Sequence, residues 1–246
     1  MIKLLVLVSA LFMTSCATKV HGLRKTADFT YSNVVNGRLT IGGITHTTEK
    51  WDYKKKINLA NQFRTDVQEQ RKDIIIDSTS YLVKRMGRGL YREMLREIEE
   101  DSTLSEQSLT LLNQNLTDRR YIAFARIEND ITRNSRETED VTDTEGKATG
   151  DKKLTTTTNR DMDINFFVYD IRNKYLAWNG LIKKSGSNSL DYHIEKKNGL
   201  VQFFDLITGS KQGSLDKKYP YPKKPSERYI LSRAFSGFAQ NLPEKD

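Results

Sequence analysis

Apolar residues first recur at helical spacing between Glu49 and Arg71, where Ile57, Ala60, Phe63 and Val67 define one face of an amphipathic helix. Leu90, Met94, Leu95 and Ile98 define a second helix. Leu109, Leu112 and Leu116 define a third, with Ser105 as its N-cap. The broadest stripe comes last. Pro225 and the cap residue Ser226 precede Ile230, Leu231, Ala234, Phe235, Phe238, Ala239 and Leu242, and Pro243 ends the pattern. The run "YPYPKKP" before this helix reads as an extended, proline-stiffened connection.

Other segments alternate with the period of a strand. "FTYSNVVNGRLTIGGIT" places Asn36-Gly37 between two β-prone runs, which predicts a tight hairpin, and Gly42-Gly43 marks a bulge or a close backbone approach. The isoleucines of "DIIIDSTSYLV" predict a buried strand. "RYIAFARIENDI" predicts another. "DMDINFFVYDIRNKYLAWNGLI" predicts a hairpin that turns at Arg172-Asn173-Lys174, with Met162, Ile164, Phe166 and Val168 on one face and Trp178 in the core. Residues 134–160 have almost no large apolar side chains and read as a long loop or the protruding tip of a hairpin. The threonines at 155–158 favour extended structure at its end.

These elements predict the α+β class: a mixed sheet with helices packed on it and a long β-hairpin, preceded by a tether. Residues 17–28 show no periodicity. The expected organisation is a signal segment over 1–15, a tether over 16–28 and an α+β domain over 29–246.

The order of elements, with "RYIAFARIE" followed by "NFFVYDIRNKYLAWNG", resembles the periplasmic domain shared by three groups. These are the curli secretion channel subunit, the lipoprotein activators of penicillin-binding proteins and the amino-terminal domain of the Tol translocation protein. The ending "YPYPKKPSERYILSRAFSGFAQNLP" is similar to that of a group of bacterial lipoproteins with a proline-rich segment, a phenylalanine-containing helix and a final Leu-Pro. The resemblance spans roughly residues 38–242. It implies a non-enzymatic domain used in assembly or regulation of an envelope machine, with no catalytic residues to carry over. It also leaves a homo-oligomer open. The channel-forming relative builds a barrel from long amphipathic segments, whereas residues 134–160 have no alternating apolar face.

The first residues fit that resemblance. Met1-Ile2-Lys3 forms a positive start, and Leu4 to Met13 is apolar apart from Ser9. That run is too short to span a bilayer, which takes roughly 20 residues, and suits an export signal. Met13-Thr14-Ser15-Cys16 resembles the lipobox of bacterial lipoproteins, with methionine where leucine is usual. The resemblance implies cleavage before Cys16, acylation of its thiol and amine, and attachment to a membrane through the acyl chains. A single chain anchors only marginally at about 0.8 kcal/mol per buried methylene, so several chains are needed for a permanent hold. Ala17 stands where aspartate signals inner-membrane retention in the best-known lipoproteins, which favours the outer membrane, facing the periplasm.

Composition narrows the chemistry. Cys16 is the only cysteine, so disulfides within the chain and cysteine metal sites are excluded. The net charge is +8, with lysine pairs at Lys183-Lys184, Lys196-Lys197 and Lys217-Lys218. Export removes nucleic acid as a partner, and a basic surface then points to anionic lipid or an acidic envelope protein. Those six lysines and Trp51, beside Asp52 and Tyr53, form the candidate partner-binding surface. His21, His46 and His193 have no metal-ligand spacing, and neither a P-loop, a dinucleotide loop nor a nucleophile elbow is present. Carboxylates such as Glu99-Glu100-Asp101 and Glu137, Glu139 and Asp140 sit in charged, solvated settings. The expected function is a non-catalytic interaction or assembly factor without a cofactor or metal. The alternative is an envelope hydrolase acting on cell-wall glycan, whose two carboxylates would lie far apart in the chain.

Overall fold

In the computed structural model, which describes residues 18–195 and 216–245, the hairpin turning at Arg172-Asn173-Lys174 is the centre of the fold. Along the chain run β1 (Val20–Lys25), α1 (Tyr31–Gly37), β2 (Leu39–His46), α2 (Tyr53–Gln70), β3 (Ile76–Asp77) and α3 (Thr79–Asp101). Then follow α4 (Glu106–Asn115), β4 (Tyr121–Thr142), β5 (Ala148–Asp170), β6 (Tyr175–Ile194) and α5 (Glu227–Gln240). The six strands make one mixed sheet in the order β1-β6-β5-β4-β2-β3. β2 runs parallel to β3 and β4, and the remaining pairs are antiparallel.

Alternation along β5 decides which helices lie where. Met162, Ile164, Phe166 and Val168 face α2 and α5, as the pattern predicts, while Phe167 and Tyr169 face α3 and α4 from the other side. The first core is aromatic. Phe63 of α2 stacks on Phe235 at 4.5 Å, Phe166 stacks on Phe238 at 4.9 Å, and buried Trp178 meets Phe238 edge-on at 5.3 Å. Each fully buried side chain of this size contributes about 1.5–3 kcal/mol. Asp52 caps α2 and Ser105 caps α4, each side-chain oxygen accepting a backbone N–H three residues on.

Two irregularities shape the sheet. The ladder between β2 and β4 shifts between Ile41 and Gly43, where a Cβ on Gly42 would come within 2.4 Å of the Phe124 ring, so bulge and close approach coincide. The ladder between β4 and β5 shifts between Ile127 and Asn129. Before that point the odd residues Tyr121, Ala123, Ala125 and Ile127 face the α2–α5 core. After it, Asp130 and Asn134 lie on that side instead. The Thr47 hydroxyl donates to the carbonyl of the extra residue, Glu128, at 3.1 Å.

Three expectations are corrected. Asn36-Gly37 ends a helix instead of turning a hairpin: Thr30 caps α1, Val34 is buried, and the Gly37 carbonyl accepts the Arg120 N–H at 2.7 Å. Local turn chemistry yields here to tertiary contacts. The isoleucine strand shrinks to Ile76–Asp77, with Ile74 buried and Ile75 60% exposed, because Thr79 already begins α3 and its hydroxyl donates to the Ile41 carbonyl at 2.8 Å. Residues 20–25 of the expected tether form the edge strand β1 against β6. Its polar side chains hide the period. Gly180 admits it, since a Cβ there would meet Val20 at 2.3 Å.

Residues 134–160 are hairpin, not loop. β4 and β5 stay paired out to Thr142 and Ala148, and Asp143 and Gly146 close the turn.

Candidate interaction surface

β2 accompanies β4 only as far as Ile127, and β1 accompanies β6 only as far as Ile182. Beyond those residues β4, β5 and β6 continue as a three-stranded arm, and both of its outer edges carry no further strand among the described residues. An edge of this kind leaves N–H and C=O groups unpaired and available to another chain.

One face of the arm is closed in an unusual way. Thr156, Thr158 and Arg160 of β5 are buried although all three are polar. They lie beneath residues 219–225, the "YPYPKKP" run. Thr156 donates to the Pro220 carbonyl at 3.1 Å, Thr158 to that of Pro222 at 2.8 Å, and Arg160 to that of Pro225 at 3.3 Å. Neighbouring strands add Tyr192 to Pro220 at 2.8 Å, Asn188 to Lys223 at 2.7 Å and Arg136 to Tyr219 at 3.2 Å. The chemistry fits the sequence. Pro220, Pro222 and Pro225 have no N–H, which breaks any regular ladder along this strap, and their carbonyls take their donors from side chains of the arm. The donors come from alternate positions of a strand, where side chains share one face.

The other face is open. Thr155 bonds Asp191 at 2.8 Å, Thr157 bonds Ser189 at 2.9 Å, and Arg133 pairs with Asp161 at 2.6 Å. Short hydroxyls and paired charges make most of it polar, with Ile131 exposed among them.

Where the arm leaves the body, the ligand atoms of His46, Glu49 and Asp130 lie within 4.8 Å of one another. Spacing in the sequence does not reveal this cluster, because β2 and β4 bring its members together. Each member is already engaged. His46 Nδ1 accepts the backbone N–H groups of Thr48 at 3.1 Å and Glu49 at 3.0 Å, so the ring proton sits on Nε2. Neither nitrogen then offers a lone pair to a cation. Asp130 is held in a buried two-pronged pair by Arg160, whose Nε donates at 2.7 Å. Glu49 accepts the Trp51 indole N–H at 2.8 Å and is approached by Lys55 at 3.5 Å.

The electrostatics follow. Burial pushes Asp130 up, but the hydrogen bond and charge of Arg160, with His46 and Lys224 behind them, bring its carboxyl below the usual range. The Trp51 hydrogen bond lowers Glu49. Burial lowers His46, against the pull of Glu49, Asp130 and Glu227. At neutral pH both carboxylates are ionised, and neither holds a proton to give to a leaving group.

The expected partner surface does not form one patch. Trp51 is 9% exposed, edge-on to His46 at 5.3 Å and covered by Lys55 at 4.1 Å, so it is a wall of the cluster and not a displayed contact. Lys183 and Lys184 lie beside Asp163 and Met162, whereas Lys217 and Lys218 are exposed next to Tyr219, which packs on Tyr192 opposite Leu154. Eight strand residues at about 3.3 Å each put the two pairs about 26 Å apart. Cys16, Lys196 and Lys197 lie outside the described residues. The row Thr156, Thr158, Arg160 is the feature that composition conceals. Its one sequence signal is donors at period two in a chain that also carries a proline run.

No protein-family model and no curated protein matches the chain. Distant similarity to solved structures is found. A PelC dodecamer from Paraburkholderia phytofirmans is 9% identical, with 91% of this chain and 98% of that one covered and a TM-score of 0.35. The hypothetical protein CT253 from Chlamydia trachomatis is 13% identical over 84% and 97%, with a TM-score of 0.35. Lipoprotein GNA1162 from Neisseria meningitidis is 11% identical over 73% and 97%, with a TM-score of 0.30. Likeness at this level says nothing of activity.

Proposed function

We propose that this chain is a lipid-anchored envelope protein, held to the outer membrane through acylated Cys16 and facing the periplasm, that acts as a non-catalytic interaction or assembly factor. The observation that carries the reading is the arm. It is mostly polar on its open face, carries no further strand along either edge among the described residues, and is backed by a strap held through side-chain hydrogen bonds. Extended partners add to such edges through main-chain hydrogen bonds. Tethering near a membrane raises the arm's effective concentration against an envelope partner or a second copy.

A photo-crosslinking residue at Thr157 or Ser187, on the open face, tests this against one at Glu93 on α3. The expected result is a discrete adduct in the envelope fraction from the arm positions only. Adducts from neither arm position overturn the assembly role. The glycan-hydrolase alternative wins if purified protein releases products from peptidoglycan and Glu49→Gln abolishes the release. Intact mass of the membrane-extracted chain beside Cys16→Ser tests the anchor itself.

A further inference from the structure

The fold takes hold of the chain almost as soon as it leaves Cys16. The Thr18 side chain accepts a hydrogen bond from Lys184 Nζ at 3.0 Å, and its carbonyl accepts one from the Asn241 amide at 3.3 Å. Its side chain also fills the space above Gly237, where a Cβ would meet it at 2.6 Å. Two residues further on, Val20 enters the sheet opposite Ile182. Thr18 is two positions from Cys16, and a residue spans at most about 3.6 Å, so the free reach is about 7 Å. The surface around Thr18 is therefore held close to the anchor.

The surface around Thr18 is basic and carries an aromatic. Lys19 and Arg233 are exposed, and Lys184 lies beside Arg233. No carboxylate pairs with Lys19, Lys184 or Arg233 among the described residues, although Lys183 nearby is paired with Asp163 at 3.4 Å. Burial and the Arg233 charge together lower the Lys184 ammonium, the mark of a cation short of counter-charge. Tyr229, 57% exposed, lies under Arg233 at 5.7 Å. Tyrosine is enriched at the headgroup level of a bilayer, and basic side chains are drawn to its anionic lipids.

We infer that the surface formed by Lys19, Lys184, Tyr229 and Arg233 around Thr18 is the membrane-facing side of the domain and binds the phosphates of anionic lipid headgroups. The inference rests on acylation of Cys16. It orients the molecule: α5 and the adjoining sheet edge lie toward the bilayer, and α3, across the sheet, lies away from it.

The test uses the acylated chain in vesicles of phosphatidylcholine with phosphatidylglycerol. A fluorophore is placed on Ser236→Cys, next to Thr18, or on Glu93→Cys of α3, and quenching by a headgroup-attached acceptor is read. Stronger quenching at position 236 is expected. Near an anionic surface each cation contributes about 1 kcal/mol, so Lys19→Glu or Arg233→Glu shifts the docked-to-undocked ratio at least about fivefold, and Arg88→Glu on α3 does not. Equal quenching at 236 and 93 overturns the orientation. Quenching unchanged by charge reversal, or by phosphatidylcholine alone, overturns the headgroup contact. A chain without lipid mass overturns the anchor and this inference together, whereas an acylated chain with equal quenching overturns this inference alone.

Discussion

Thr158 and Pro222 meet at 2.8 Å, a buried hydroxyl donating to the carbonyl of a residue that has no N–H to offer in return. Thr158→Val keeps the shape and the strand preference but leaves that carbonyl without its donor. A loss of about 1–3 kcal/mol is expected in urea unfolding. Thr157→Val, one residue away and facing the open side with Ser189, is expected to stay within about 0.5 kcal/mol. Equal effects at the two positions would show that the strap contributes no stability through these bonds.

The Asp130–Arg160 pair should behave as a unit. Both side chains are almost fully buried, at 8% and 4% exposure. Asp130→Ala leaves a guanidinium without its counter-charge at a cost of about 3–5 kcal/mol, while Asp130→Leu combined with Arg160→Met is expected to cost less than that single change. Unfolding free energies of the two variants, measured in urea, read the difference directly.

His46 gives stability a pH dependence of predictable sign. Its folded-state value lies below the ordinary 6.5, so the unfolded chain binds the proton more readily. The histidine's contribution is complete above that value and is lost as pH falls through it toward the folded-state value. Glu49 and Asp130 are also depressed, but their contributions persist until pH falls below the carboxylate range, a separate window. His46→Asn keeps an acceptor near Nδ1 and should flatten the slope as pH falls below the ordinary histidine value of 6.5. A slope unchanged in that variant assigns the effect elsewhere.

Phe238 links three aromatic partners, Phe63, Phe166 and Trp178. Phe238→Ala is expected to cost about 3–5 kcal/mol and Phe238→Leu distinctly less, since leucine refills much of the cavity. Thermal unfolding of the two variants checks the order.

Where one face of an element is buried in a hydrophobic layer, the chain announces it. α2, α4, α5 and the hairpin around residue 172 were legible because their apolar residues recur with the period of the element. Four features were not. Asn36-Gly37 carries hairpin chemistry that the docking of α1 overrides. β1 is an edge strand whose outward side chains are polar, and the arm buries hydroxyls and a guanidinium in place of a core, so polarity there reads as exposure. The His46 cluster joins residues more than 80 positions apart, and only the parallel pairing of β2 with β4 makes them neighbours.

The extra residue at Glu128 sets which way every side chain of β4 faces in the arm. Without it, the strand beyond would keep the phase of the body, and every side chain of β4 from Asn129 to Thr142 would change sides relative to β5. Asp130 would turn its carboxylate away from Arg160, and Asn134 and Arg136 would leave the strap. Ile131 and Arg133 would be driven beneath the prolines. A one-residue deletion would thus turn β4 inside out in the arm, bringing Ile131 and Val141 to the strap side in exchange for Asp130, Asn134 and Arg136.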